Sequence, residues 1–97
     1  MDRQEIVALT RAFILENFLY TQPDFPLEED TRLLGEGIVD SMGVMELIMF
    51  LETTFGVSAD EDDIREENLG SLGGIARWVM AQRSGREPLE ARAVHAA

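Results

Sequence analysis

Apolar residues return at helical intervals in three stretches of this chain, and nowhere do they alternate at the period of a strand. Over residues 3–19, Ile6, Leu9 and Phe13 form one stripe, with Val7, Ile14 and Phe18 beside it. Both stripes read as core-facing. Asp2 and Glu5 have the spacing of a capping box, with Asp in place of Ser or Thr. Over residues 41–55, Val44, Leu47, Ile48, Leu51 and Phe55 predict a buried face, and Met42, Met45 and Met49 form a second stripe turned away from it, which on pattern alone reads as a wider core contact rather than a surface for partners. Gly56 follows as the C-cap. Over residues 71–83, Leu72, Ile75, Ala76 and Val79 give the last apolar face. Trp78 packs beside that face, and Gly73 and Gly74 weaken its first turn.

The segments between carry different signals. Residues 20–40 hold Pro23, Pro26, Gly35, Gly37 and an acidic run at 28–30, with no period. Leu33 and Leu34, helped by Ile38 and Val39, are expected to dock this long connection on the core. Residues 57–68 are acidic. Ser58 and Glu61 stand at capping-box spacing, so a short helix is expected near residues 60–66, with Ile64 as its single inward anchor. After Ser84 the few apolar residues have no evident partner, and residues 85–97 are expected to be a mobile tail. The expected fold is all-α, a small four-helix bundle of three longer helices and one short one, with a long loop between the first two. Residues 1–84 make its single domain, and a monomer is expected.

Composition narrows the function. The chain of 97 residues has no cysteine and one histidine, His95, so thiolate, disulfide and histidine-cluster chemistry are out of reach. There is no apolar signal core and no run of membrane-spanning length, which points to the cytoplasm. Nineteen acids oppose eight bases, all arginine. Residues 36–70 alone hold ten acids against Arg65, a net of −9 out of −11. Such a surface disfavours nucleic acid and favours basic protein partners. The run of acids at 60–63 lacks the glycine and distal glutamate of a calcium loop, and no metal site is expected. The carboxylates cluster like a surface rather than pairing in a pocket, and no base accompanies a nucleophile. The chain therefore does not read as an enzyme.

The junction at Asp40-Ser41 stands out. Either residue is suited to cap the helix that begins there. The unpaired N–H groups of a helix start also favour an anion, phosphate being the usual one. With no base in evidence, Ser41 is more suited to be the substrate of another protein than a catalyst.

The run Gly-Ile-Val-Asp-Ser-Met-Gly-Val-Met-Glu-Leu at residues 37–47, the stripe Val44, Leu47, Ile48, Leu51 and Phe55, and the acids Glu46 and Glu52 resemble the acyl carrier protein family. The resemblance spans roughly residues 4–83. It implies that Ser41 is esterified by 4′-phosphopantetheine from coenzyme A. It also implies three kinds of partner: a phosphopantetheinyl transferase, an adenylating acyl or aminoacyl ligase, and downstream acyl-processing enzymes with basic patches. By motif position the partner contacts fall on Asp40, Met42, Met45, Glu46, Met49 and Glu52, assisted by Asp62 and Arg65. The family pattern is not followed throughout. Gly37 stands four residues before Ser41 where fatty-acid carriers commonly have glycine at three, and Gly43 replaces their usual Asp two residues after it. The Gly-Gly-His-Ser motif of peptide-synthetase modules is absent. The pattern looks more like free-standing carriers of specialised pathways. The resemblance thus implies a stand-alone carrier of an acyl or aminoacyl thioester. The alternative is an acidic helical adaptor with the same fold that is never modified.

Overall fold

The computed structural model describes residues 2–84. Four helices follow one another: α1 at Arg3–Asn17, α2 at Ser41–Phe55, α3 at Glu66–Leu69 and α4 at Leu72–Ser84. A single 3₁₀ turn, Glu61–Asp63, precedes α3, and no strand occurs among the described residues. The helices form a bundle in which α1 packs against both α2 and α4, and α3 leans on α4.

Local chemistry sets the ends. Asp2 caps α1 by accepting the Glu5 N–H at 2.9 Å, which is one half of the expected box. Gly56 ends α2 at φ 68°, a left-handed conformation that favours glycine. The Phe55 carbonyl at that end accepts from Arg83 in the last turn of α4 at 2.7 Å.

The core is continuous. Ile6, Val7 and Ile14 of α1 meet Leu47, Ile48, Leu51 and Phe55 of α2 and Leu72, Ile75, Ala76 and Val79 of α4. Trp78 is buried as well. A row of aromatic rings joins α1 to α2: Phe13 stacks on Phe50 at 4.2 Å between centroids, and Phe50 stands edge-on to Phe55 at 5.8 Å. Phe50 lies outside the predicted apolar stripe.

The long connection is held by the bundle rather than draped over it. Leu19, Leu27, Leu33 and Val39 are buried. The Leu33 N–H donates to Gly70 O at 2.8 Å, the Gly73 N–H donates to Glu29 O at 2.9 Å, and Arg11 Nε donates to Leu27 O at 3.0 Å. Arg3 and Glu29 form an ion pair over this segment. The hydrogen bond from Arg3 holds the Glu29 carboxyl below its ordinary range.

Several expectations are corrected. Leu9 is 42% exposed, because no element among the described residues covers that side of α1. Leu34 faces outward while Leu33 takes the core position. Ile64 is 42% exposed, and the inward anchor of the short helical region is Leu69. That region splits into the 3₁₀ turn and α3, and its turn is closed by the Asp60 N–H donating to the Asp63 carboxylate at 2.9 Å, not by Ser58 and Glu61. The expected tail at 85–97, which includes His95, lies outside the described residues.

Candidate functional site

The start of α2 separates two roles that the sequence left shared. Asp40 is the N-cap, in extended conformation, and its Oδ1 accepts the Gly43 N–H at 2.7 Å. Its carbonyl accepts the Val44 N–H at 3.0 Å. Ser41 is the first helical residue; it is exposed and makes no side-chain hydrogen bond among the described residues. The N–H groups of Ser41 and Met42 also lack protein partners there, and the first turn of α2 contains no acid. The hydroxyl therefore stands free, beside two unpaired donors at the positive end of a helix dipole.

The chain reaches this point through a tight approach. Gly37 adopts φ 71°, which favours glycine, and its N–H donates to Leu34 O at 3.1 Å. Val39 then returns to the core and donates to Leu33 O at 3.0 Å. Because Leu33 is itself bonded to Gly70, the entry to α2 is tied to the junction of α3 and α4.

Met42, Met45 and Met49 are 82%, 57% and 66% exposed. Together with Glu46 they occupy positions three and four apart, so they share one face of α2 that runs away from Ser41. Glu46 is exposed and has no ion-pair or hydrogen-bond partner among the described residues. Asp40 is exposed but committed to the cap. Glu52 is half-buried and accepts the Ala59 N–H at 3.0 Å, so part of its carboxylate is spent holding the chain that follows α2. Asp62 and Arg65 are exposed beyond the C-terminal end of α2 in the chain. Arg65 pairs with Glu67 at 2.8 Å, which raises its already high pKa. The methionines and Glu46 are thus brought together with Ser41, whereas Glu52, Asp62 and Arg65 are engaged or adjoin other elements.

The sequence placed Phe18 in the core-facing stripe of α1 and missed only its place beside the site. Its ring covers Gly43, the buried position in the first turn of α2. The unusual glycine two residues after the serine was the available signal. Among the described residues no group of acidic and histidine side chains is arranged to hold a metal, and no helix is long and apolar enough to cross a membrane.

The bundle thus presents an exposed serine at the start of α2. Residues 14–79, from within α1 to within α4, match the family described as the phosphopantetheine attachment site. The chain is also similar to the acyl carrier protein of Thermotoga maritima, with 26% identity over 78 residues that cover 80% of this chain and 91% of that protein. The chain belongs to the acyl carrier protein family. Its cofactor is 4′-phosphopantetheine, carried covalently, and members of the family are carriers rather than catalysts.

Proposed function

We propose that this chain is a carrier that holds an acyl or aminoacyl group as a thioester, with Ser41 as the residue that bears the arm. One observation carries the assignment: Asp40 performs the capping, so the Ser41 hydroxyl is exposed at the start of α2 and unbonded among the described residues. Ser41 Oγ forms the new ester bond to the pantetheine phosphate of coenzyme A. The bond between that phosphate and the nucleotide breaks, adenosine 3′,5′-bisphosphate leaves, and the hydroxyl proton passes to a base on the transferase. The N–H groups of Ser41 and Met42 and the α2 dipole favour the phosphodiester anion that results. When bound, the arm supplies the thiol that a chain without cysteine lacks.

The chain itself is a substrate and a carrier and not an enzyme. Its partners in this reading are a phosphopantetheinyl transferase, an adenylating acyl or aminoacyl ligase and later acyl-processing enzymes, all in the cytoplasm. Basic patches on them meet Asp40 and Glu46. Apolar surfaces on them meet Met42, Met45 and Met49, whose flexible side chains suit a succession of shapes. Glu52, Asp62 and Arg65 contribute at the margin.

Intact mass after incubation with coenzyme A, magnesium and a broad-specificity transferase tests the assignment. The wild-type chain gains one phosphopantetheine and Ser41→Ala gains none. Equal gain in both would move the arm to another residue, and no gain in either would leave the unmodified acidic adaptor as the better reading.

A further inference from the structure

Gly43 is packed so closely by Phe18 that a methyl group in its place would lie 2.6 Å from Phe18 Cε1, and 3.2 Å from both Phe18 Cζ and Asp40 Oδ1. Non-bonded carbons come to rest at about 3.5–4.0 Å, so the first distance has no room for a side chain. Phe18 is poorly placed to yield. It is the residue that ends α1, with its N–H bonded to Ile14 O at 2.8 Å. Its ring stands edge-on to Phe13 at 5.9 Å, and Phe13 stacks on Phe50 of α2. The end of α1 thereby holds α2 at two levels, Gly43 in the first turn and Phe50 about two turns on. Gly43 also donates the N–H that Asp40 caps. Ser41 lies in the chain between the capping Asp40 and the Gly43 that the ring covers.

We propose that Phe18 is a positioning residue for the modification of Ser41, and that position 43 is kept free of a side chain so that the ring can seat against the first turn of α2. The proposal rests on the assignment of the arm to Ser41. It supplies a physical reason for the missing acid two residues after the serine: under the Phe18 ring a carboxylate side chain has no space. The transferase then meets a serine whose turn is already seated, instead of one that must be ordered on binding.

A double-mutant cycle on loading kinetics tests this, with coenzyme A, magnesium and a broad-specificity transferase, at a temperature where circular dichroism finds every variant folded. Gly43→Ala is expected to lower kcat/KM by about ten- to a hundredfold, the range set by small misplacements of a reacting group. It should do so even though alanine ordinarily favours a helix over glycine. Phe18→Leu alone is expected to raise KM with little change in kcat, because the competent geometry is populated less. In the Phe18→Leu background the glycine substitution is expected to add nothing further. Ile75→Val, a core change in α4, should load like the wild type. Wild-type loading by Gly43→Ala, additive effects of the two substitutions, or an equal slowing by Ile75→Val would each overturn the proposal. If Gly43→Ala fails to fold, Phe18→Leu decides alone, and an unchanged KM counts against the seat. A wild-type chain that takes up no pantetheine removes the Ser41 assignment itself, a result distinct from any outcome of the cycle.

Discussion

Asp40 and Ser41 are neighbours with different work, and only the backbone tells them apart. Both residue types favour the N-cap, so their order in sequence leaves the role open. Asp40 has φ −90° and ψ −179°, the extended geometry of a cap, while Ser41 is already helical. Asp40→Ala is therefore expected to cost about 1 kcal/mol, within the 0.5–2 kcal/mol range of lost caps. Urea denaturation would read it as a lower midpoint at unchanged slope, and an unchanged midpoint would mean the cap contributes nothing. The three methionines were legible as a second stripe, but spacing alone favoured a wider core contact, and the structure leaves all three exposed. The exposure of Leu9, Leu34 and Ile64 was not legible either, because apolar character does not reveal whether another element arrives to cover the residue.

The longer helices were legible as elements for a local reason: a period of 3.6 is written within one stretch of chain. The bounds of α2 match the prediction at both ends, with a cap before and a left-handed glycine after. The connection between α1 and α2 was not legible in detail, since its order comes from partners far along the chain, such as Gly70 and Gly73. The row from Phe18 through Phe13 to Phe50 escaped for the same reason. Arg83 belongs to this scale too. It donates from the last turn of α4 to the terminal carbonyl of α2, where the helix dipole also favours a cation. Arg83→Gln is expected to lower stability by about 1.5–3 kcal/mol, the range for a hydrogen bond to a charged group. Thermal unfolding of the two proteins side by side measures it, and coincident curves would show that water replaces the contact without loss.

Across the whole molecule the charge is unevenly spread, with nine of eleven net negative charges between residues 36 and 70. Such a field acts on encounter rates and weakens with salt. Glu46→Lys is expected to slow loading by a partner enzyme at low ionic strength, and the gap should close as salt is added. Its melting curve should match the wild type, since Glu46 has no partner among the described residues. Equal rates at low salt would count against an electrostatic role for this face. The exposed ion pairs Arg3–Glu29, Arg32–Glu66 and Arg65–Glu67 add little stability by comparison.

The bond from Leu33 to Gly70 bears on timing. Ser41 is reached through Val39, which is bonded to Leu33, which is bonded to a residue just before the last helix. Until that late segment has been synthesised and has folded, the loop entering α2 lacks its tie to Gly70. Contacts between such distant parts of a chain close slowly. The serine becomes a fixed target only when nearly all of the bundle exists. In the proposed reading, a chain that lacks this late segment presents Ser41 to the modifying enzyme without that tie.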